Sequence, residues 1–300
     1  MKRVNFIKSS LKALAVRGVV MHCTTVRWNG QWTWIVASPQ AGTCVRIDGK
    51  YFMVMHHNET CWAAMPALLD EVQAIADDVG LPFLAAQADL ADPEPMSDQN
   101  GLPYAESRFR WINSTARFWR NRKLALNSPL LSATRLVSEA FYCSGGQLSL
   151  GRPSRLLDGI NGAEAQKSIG HGEAIITPVH MPRGLVGTVF WVSKEPVGIA
   201  TIFAQHAARL QNIAIRLAST HNEARGRLRS AITPQRLTRR EAQCLRWAAA
   251  GKTDGEIGII LDLSVSTVRF HLRNAGKKLG ATGRAQSIQL AAGLGFIGSV

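Results

Sequence analysis

Long apolar stretches are absent from this 300-residue chain. A membrane-spanning helix needs about 18 or more consecutive apolar residues, and no window of the sequence comes near that length. The basic N-terminus is not a secretory signal either, because Lys8, Lys12 and Arg17 interrupt its apolar stretch. We therefore expect no membrane partner and a cytoplasmic location.

Cysteine is also scarce. The five cysteines are an odd number and contain no Cys-x-x-Cys pair, which argues against a disulfide framework and favours a reducing compartment. His56, His57 and Cys61 lie close together, but no second pair of ligand-type residues completes a zinc site. The sequence therefore predicts no bound metal and no cofactor.

The known signatures of catalysis are missing as well. The sequence has no nucleophile elbow, no Walker loop, no His-Glu-x-x-His motif and no pair of carboxylates at plausible spacing. The pair Gly145-Gly146 is too short to form a phosphate-binding loop. We expect a protein that is not an enzyme.

Acidic side chains are few: 21, against 35 lysines and arginines, for a net charge of +14. Residues 1–64 carry +6, residues 65–234 carry +2, and residues 235–300 carry +6 from 10 basic and 4 acidic side chains. A basic C-terminal segment fits a polyanionic partner, because binding to phosphates releases condensed counterions.

The pattern of the chain changes at Met65. Before it, short strand-like runs such as Gln31–Ser38 and Tyr51–Met55 show little helical periodicity. We expect either an N-terminal extension of unknown structure or a segment translated from an upstream start. The expected division is an extension over 1–64, a central domain over 65–220, a polar linker over 221–235 and a C-terminal domain over 236–300.

The central domain alternates between the periods of helices and strands. The sequence predicts a helix over 65–80, a strand over 81–88, strands over Ala174–His180 and Leu185–Ser193, and a long helix over Thr201–Thr220. Helix, strands and helix in this order favour an α+β fold, with an α/β/α sandwich around a largely antiparallel sheet.

The C-terminal domain is predicted to contain four short helices. Their expected N-cap residues are Thr238, Thr253, Ser264 and Thr282, and Glu241 and Glu256 complete two capping boxes. Gly251 provides a left-handed stop for the first helix. Gly255, Gly258 and Gly276 fall inside helices, where each costs roughly 0.5–1 kcal/mol relative to alanine.

Helical spacing separates a buried face from an exposed face in this domain. Ile257, Ile260 and Leu261 are expected to be buried in the second helix. The predicted buried stripe of the third helix comprises Val268, Leu272, Ala275 and Leu279, and the opposite face comprises Ser266, Phe270, Arg273 and Lys277, flanked by Arg269 and Asn274. A short helix, a tight turn and a helix with a cationic face are typical of a recognition helix in the major groove of DNA.

These residues also resemble the DNA-binding domain of LuxR-type regulators. The matching motifs are Leu237-Thr238-x-Arg240-Glu241, Gly251-Lys252-Thr253, Glu256-Ile257, Leu261-x-x-Ser264-x-x-Thr267-Val268-x-x-His271 and Lys278-Leu279-Gly280-Ala281. The resemblance implies that Lys252 and Thr267 lie near phosphates and that Arg269, Phe270 and Arg273 face base edges. The full set of expected DNA contacts is Lys252, Thr253, Ser264, Ser266, Thr267, Arg269, Phe270, Arg273, Asn274 and Lys277.

The central domain resembles the ligand domain of the acyl-homoserine-lactone-responsive LuxR branch. The resemblance rests on Pro178-Val179-His180 followed by Pro182-x-Gly184, with aromatic residues upstream. It implies a small-molecule signal and candidate ligand contacts at Trp111, Trp119, Asn127, Ser128 and Tyr142. That branch holds the lactone amide with an aspartate before a proline, whereas this chain has Ser128 there and Asn127 one residue earlier. We therefore expect no tuning to standard acyl-homoserine lactones, because a charged acceptor forms the stronger hydrogen bond.

The leading hypothesis is a ligand-responsive, homodimeric, quorum-sensing-like transcription regulator. Its partners are expected to be an inverted-repeat operator in double-stranded DNA, a small-molecule ligand and RNA polymerase. One alternative is a response regulator with a degenerate receiver domain, for which Asp77-Asp78 and Lys194-Glu195-Pro196 are the nearest approach to the required elements. Another alternative is a regulator that needs no ligand.

Overall fold

The structure is a computed structural model that describes residues 22–28, 31–38, 42–47, 50–54, 57–111, 126–227 and 236–298. Its internal contacts divide the chain into two compact units, Met1–Ala63 and Ala64–Val300. Each unit is described below by itself.

The first unit contains an antiparallel sheet in which four strands follow one another in chain order. The strands are β1 (His22–Trp28), β2 (Gln31–Ser38), β3 (Gly42–Ile47) and β4 (Lys50–Val54). Trp28 pairs with Gln31 and Ile47 pairs with Lys50, so two residues connect each of these strand pairs. The strand-like runs of the sequence are strands in the structure.

The first long helix that the structure describes is α1 (His57–Asp78). It begins eight residues before the predicted start at residue 65 and continues through Pro66, which has no amide hydrogen to donate. The fully or nearly buried side chains of its inner face are Met65, Leu68, Leu69, Val72, Ile75 and Ala76.

The second unit contains a five-stranded antiparallel sheet in the order β5-β9-β8-β6-β7. Its strands are β5 (Phe83–Gln87), β6 (Phe141–Ser144), β7 (Gln147–Ser149), β8 (Ala174–Met181) and β9 (Leu185–Val192). Strands β8 and β9 are joined by a turn at Pro182–Gly184, in which Arg183 and Gly184 both have positive φ. At the edge of the sheet, the outward amide of Leu84 donates to the carbonyl of Arg110 (2.7 Å).

Helices cover both faces of this sheet. The helices of this region are α2 (Tyr104–Ser107), α3 (Pro129–Leu136), α4 (Gly162–Ile169) and α5 (Ile199–Ala224). Ala174, Ile176 and Val192 share a buried cluster with residues of α3 and α4. Alternation along the strands directs Ile175 and Trp191 to the opposite face, where α5 packs across β8. The predicted α/β/α sandwich with an antiparallel sheet is therefore confirmed.

The antiparallel sheet also decides against the receiver alternative. Receiver domains have a doubly wound parallel sheet, and every strand pair in this sheet is antiparallel. The carboxylate of Asp77 forms an ion pair with Arg110 (3.3 Å) and that of Asp78 with Arg209 (2.6 Å). The acidic pair at the end of α1 is thus used in ion pairs at the protein surface, and the receiver interpretation is wrong.

A buried carboxylate fixes the start of α5. Glu173 is 7% exposed, and it accepts hydrogen bonds from the Ser144 hydroxyl (2.5 Å) and the amides of Val197 (2.7 Å) and Ile199 (3.1 Å). Burial alone would raise the pKa of Glu173, but these hydrogen bonds outweigh it and hold the pKa below its usual value. The side chain therefore acts as an ionised cap for the helix, a role that its sequence context did not reveal.

Four helices form the C-terminal part of the chain. They are α6 (Arg239–Ala249), α7 (Asp254–Leu261), α8 (Val265–Leu279) and α9 (Arg284–Gly293). Their core consists of two adjoining clusters built around Leu245, Ala275 and Leu279 in one and Cys244, Ile257 and Val268 in the other. In the part of the chain that the structure describes, no helix is long and apolar enough to cross a membrane.

Candidate nucleic-acid interface

Glu241, which completes the capping box of α6, also connects this helix to α8. The Thr238 hydroxyl accepts from the amide of Glu241, and the Glu241 carboxylate accepts from the amide of Thr238 (2.7 Å), so the predicted capping box is present. The same carboxylate accepts from Lys278 Nζ (2.8 Å) although Glu241 is only 3% exposed. Burial would raise the pKa of Glu241, but the bonds from Lys278 and Thr238 lower it overall. This cap therefore also fixes the position of the C-terminal end of α8.

A second capping box begins α7. The Thr253 hydroxyl accepts from the amide of Glu256 (3.3 Å), and Glu256 Oε2 accepts from the amide of Thr253 (2.8 Å). The first of these bonds satisfies an amide that has no partner within the helix. The sequence predicted this start correctly.

The turn between α7 and α8 is unusually close to the backbone of α7. Asp262 adopts the left-handed conformation (φ 54°), and the amide of Leu263 donates to the carbonyl of Gly258 (2.8 Å). A Cβ atom at position 258 would lie 2.6 Å from the carbonyl oxygen of Leu263. Gly258, which the sequence indicated only as a weak point of the helix, is therefore what allows the turn to close.

The other two helical glycines differ from each other. A Cβ atom at Gly276 would lie 2.9 Å from the Ser287 hydroxyl, so this glycine lets α9 approach α8. At Gly255 the nearest atom would be 4.0 Å away. Nothing in the structure explains glycine at position 255.

Helix α8 begins at the predicted cap. The Ser264 hydroxyl accepts from the amide of Thr267 (3.1 Å) and lies 2.7 Å from the Thr267 hydroxyl. The predicted buried stripe is present, with Val268, Ala275 and Leu279 buried and Leu272 partly buried. Burial of this stripe leaves the opposite face of the helix exposed.

The structure brings the predicted DNA contacts together on α8 and at the start of α7. The exposed members are Thr253, Ser264, Ser266, Arg269, Phe270, Arg273 and Lys277, and the half-buried members are Lys252, Thr267 and Asn274. Phe270 is 58% exposed, and its ring contacts the ring of His271 edge to face (5.7 Å between centroids). The arrangement presents hydroxyl, amide, guanidinium and aromatic groups on one surface.

Sequence reasoning missed a carboxylate that contacts Arg269 of this surface. Asp254 Oδ2 accepts from Arg269 Nε (3.2 Å), and Asp254 Oδ1 accepts from Arg284 Nη1. Arg284 Nη2 also donates to the carbonyl oxygen of Lys252 (2.6 Å). Partial burial would raise the pKa of Asp254, but the bonds from Arg284 and Arg269 lower it overall. We call Asp254, Arg269 and Arg284 the arginine clamp.

Two details of the sequence prediction are wrong. Thr282 does not cap α9: the N-cap is Gly283, which makes no side-chain bond, and the amide and hydroxyl of Thr282 donate to Gln286 Oε1 (2.8 and 2.9 Å). Ile260 is not buried but 42% exposed. Helix α7 is short, so Ile257 and Leu261 suffice to anchor it in the core.

Among the described candidate ligand contacts, Trp111 and Tyr142 lie on opposite faces of the sheet. Trp111 packs against the cluster between the sheet and helices α3 and α4, whereas the ring of Tyr142 lies 5.1 Å from that of Phe203 on α5, across the sheet. Asn127 is exposed and Ser128 half-buried at the start of α3. Trp119 lies outside the described residues. Across the described ranges, no group of histidine, cysteine and acidic side chains could hold a metal ion.

Two helices joined by a tight turn, the second with a buried stripe and an exposed cationic face, define a helix-turn-helix domain of the DNA-binding type. Residues 235–291 match the family model described as bacterial regulatory proteins, luxR family. The C-terminal domain is therefore a LuxR-type helix-turn-helix domain, and the predicted resemblance is confirmed for it.

The matched relatives are regulators. The transcriptional activator protein VanR of Vibrio anguillarum is 56% identical over 61 residues, which are 20% of this chain and 25% of VanR. The quorum sensing-dependent transcriptional regulator VjbR of Brucella ovis is 38% identical over 117 residues, which are 39% of this chain and 44% of VjbR. At 117 residues, the VjbR alignment includes residues that precede the C-terminal domain. The chain spans less than half the length of either relative.

Among solved structures, the chain is similar to Escherichia coli SdiA. The superposition covers 80% of this chain and 97% of SdiA, with 19% identity and a TM-score of 0.40.

Proposed function

We propose that this chain is a transcription regulator that binds double-stranded DNA through α8. The observation that carries the proposal is the surface opposite the buried stripe of α8, where Arg269, Arg273 and Lys277 are exposed together. Such a face fits the major groove, where guanidinium groups read guanine and hydroxyl groups contact phosphates. The surrounding segment carries a net +6, which favours a polyanion.

The test is binding-site selection by the full chain from random duplexes, followed by titration of the selected duplex at several salt concentrations. We expect a preferred sequence and an affinity that falls steeply as salt rises. Arg273→Ala should relax the preference, while Arg246→Ala, which removes the same charge from an exposed position on α6, should preserve it. A flat salt response or the absence of any selected sequence would contradict the proposal.

We further propose that the regulator acts as a homodimer on an inverted repeat, because two-fold symmetry in the protein is mirrored in the site. Helix α5 is the candidate for pairing: it is 26 residues long, and Ile215 is 45% exposed on it. Sedimentation at several concentrations and footprinting of the selected duplex test this proposal. A monomer protecting a single half-site would refute it.

RNA polymerase is the further partner that we propose, since relatives such as VanR are named transcriptional activators. Transcription in vitro from a promoter with the selected site, with and without the chain, tests this partner. With DNA and polymerase as its partners, the protein is proposed to act in the cytoplasm.

For the central region we propose a domain over 65–220 that binds a small-molecule signal, followed by a linker over 221–235 whose first four residues are the last turn of α5. Ser128 and Asn127 replace the acidic acceptor, so we expect standard acyl-homoserine lactones to bind weakly or not at all. Thermal-shift titration of the full chain with lactones and other small signals tests this, because a ligand of the folded state raises its melting temperature. Submicromolar lactone binding, about −8 kcal/mol or better, would contradict the expectation, and no response to any signal would favour ligand-independent regulation.

We also propose that residues 1–64 lie outside the regulatory fold. Because α1 begins at His57, a chain that starts at Met65 loses the first two turns of this helix. A chain starting at His57 is the matched comparison. We expect both shortened chains to bind the selected duplex as tightly as the full chain does. A loss of solubility or affinity in the Met65 chain alone would show that residues 57–64 belong to the fold, and a loss in both would show that the extension is required.

A further inference from the structure

The arginine clamp assigns a task to Asp254 that its position in the sequence does not suggest. Asp254 is the first residue of α7, and its side chain is 22% exposed, while the side chain of Arg269 on α8 is 66% exposed. An acidic residue is common at this position, because it interacts favourably with the positive end of the helix dipole. Here the carboxylate also reaches across to two guanidinium groups from other helices.

The atom that Asp254 contacts on Arg269 is important for recognition. The hydrogen bond uses Nε of Arg269, which leaves the two terminal nitrogens Nη1 and Nη2 at the outer end of the side chain. Those two nitrogens form the planar fork that can donate to O6 and N7 of guanine at once. A long exposed side chain must otherwise lose rotamer freedom when it binds. The hydrogen bond from Nε to the Asp254 carboxylate already limits the rotamers of Arg269 in the protein without DNA.

Arg284 fixes the carboxylate from the other side. It donates to Asp254 Oδ1 and to the carbonyl oxygen of Lys252, so both carboxylate oxygens of Asp254 are engaged and the start of α7 is tied to α9. The orientation of the Asp254 carboxylate is therefore determined by two helices besides its own.

We propose that Asp254 is a positioning residue for base recognition, which holds Arg269 so that its terminal nitrogens read a guanine in the major groove. The proposal rests on the proposed function as a DNA-binding regulator. Under this proposal, part of the sequence preference depends on Asp254, a negatively charged side chain of α7. Its carboxylate contacts Arg269 and Arg284 rather than DNA.

The test uses the full chain and the duplex obtained by selection, with each guanine of one half-site replaced in turn by 7-deazaguanine. This base lacks the N7 acceptor and leaves the other base contacts in place. For the wild type, we expect one guanine whose replacement weakens binding about tenfold, which lies within the discrimination of a good bidentate contact. Arg269→Ala should bind the unmodified duplex and the duplex with 7-deazaguanine at this position equally tightly.

Asp254→Asn and Glu256→Gln form the matched pair of variants. Each removes one negative charge from α7, so both should strengthen binding to nonspecific DNA to a similar extent. A glutamine at position 256 can still complete the capping box, and we expect this variant to keep the tenfold discrimination. For Asp254→Asn we expect the discrimination to fall to about twofold, because an amide holds the guanidinium group less firmly than a carboxylate does. In the Arg269→Ala background, Asp254→Asn should have no further effect on discrimination.

Each ratio compares two duplexes with the same protein sample, so a variant that is partly unfolded still gives a valid value. Asp254→Asn with the full tenfold discrimination would overturn the inference, and so would a wild type that selects a sequence but is insensitive to 7-deazaguanine. If the full chain selects no sequence at all, the proposed function fails instead.

Discussion

Replacing Gly258 by alanine tests how the turn between α7 and α8 is built. The added Cβ would lie 2.6 Å from the carbonyl oxygen of Leu263, well inside the roughly 3.3–3.6 Å of even close contacts between carbon and oxygen. Alanine gains about 0.5–1 kcal/mol over glycine in a helix, but overpacking a tight site costs about 1–3 kcal/mol. We expect a net loss of about 1–2 kcal/mol, together with displacement of α8.

Gly255→Ala provides the control in the same helix. Its Cβ would have 4.0 Å to the nearest atom, so only the gain in helix propensity of about 0.5–1 kcal/mol applies. Native-state hydrogen exchange of the amides of α7 and α8 measures both variants, because protection reports the free energy of local opening. The expected loss corresponds to exchange about 5–30 times faster for Gly258→Ala, and exchange should be slower for Gly255→Ala. Binding to the selected duplex should weaken only for Gly258→Ala. Equal protection in the two variants would refute the close approach of Leu263 to α7.

Three further changes test other parts of the structure. Arg273→Ala should weaken binding to the selected duplex by about 1–3 kcal/mol and relax the sequence preference of the protein, whereas Lys252→Ala should weaken binding to all duplexes alike and lower the salt slope by about one unit. Competition titrations measure both effects. The reverse pattern would show that a different face of the domain enters the groove. His221 is 2% exposed, and burial, followed by the nearby charges of arginines, lowers its pKa from 6.5 to about 4 although the carbonyl of Ser97 opposes this. Between these two pKa values the unfolded chain binds more protons than the folded chain does, so the free energy of unfolding should fall by about 3 kcal/mol as pH drops from 6.5 to 4. Urea unfolding across that range measures this loss. For His221→Gln, the free energy of unfolding should depend less on pH. Lys278→Met leaves the buried Glu241 carboxylate without its cation and should destabilise the C-terminal domain by about 1–3 kcal/mol. Calorimetry measures this loss as a lower melting temperature. An unchanged melting temperature would show that the ion pair does not stabilise the domain.

The C-terminal domain was predictable because its signals are local. Each capping box places two residues three positions apart, and the buried stripe of α8 repeats with the helical period. Thr253 and Ser264 therefore appear in the structure where the sequence placed them. The exception is Thr282: the N-cap position of α9 falls on Gly283, and the Thr282 hydroxyl donates to Gln286, a side chain one turn further along.

Contacts between distant parts of the chain could not be predicted. The bond from Arg284 to Asp254 joins residues 30 positions apart, and that from the amide of Val197 to Glu173 joins residues 24 apart. Nothing in the local pattern marks either carboxylate as shared. Asp254 begins a helix, where an acidic residue already has a sufficient local reason to be present, and Glu173 directly precedes strand β8, far in sequence from the helix that it caps.

One signal in the first 64 residues was available from the sequence. Asn29-Gly30 connects β1 to β2, and Asp48-Gly49 connects β3 to β4. Both are residue pairs favoured in two-residue hairpin turns. They predict a meander of antiparallel strands even where the alternation of apolar residues is irregular.

The edges of the five-stranded sheet bear on how copies of this chain can associate. An open strand edge is a template for edge-to-edge pairing and aggregation. Here one edge is β7, which is only three residues long, and the other is β5, where the outward amide of Leu84 already donates to Arg110. Both features disfavour continuous growth of this sheet from one copy to the next, and we expect a closed pair to use helical surfaces rather than these two edges.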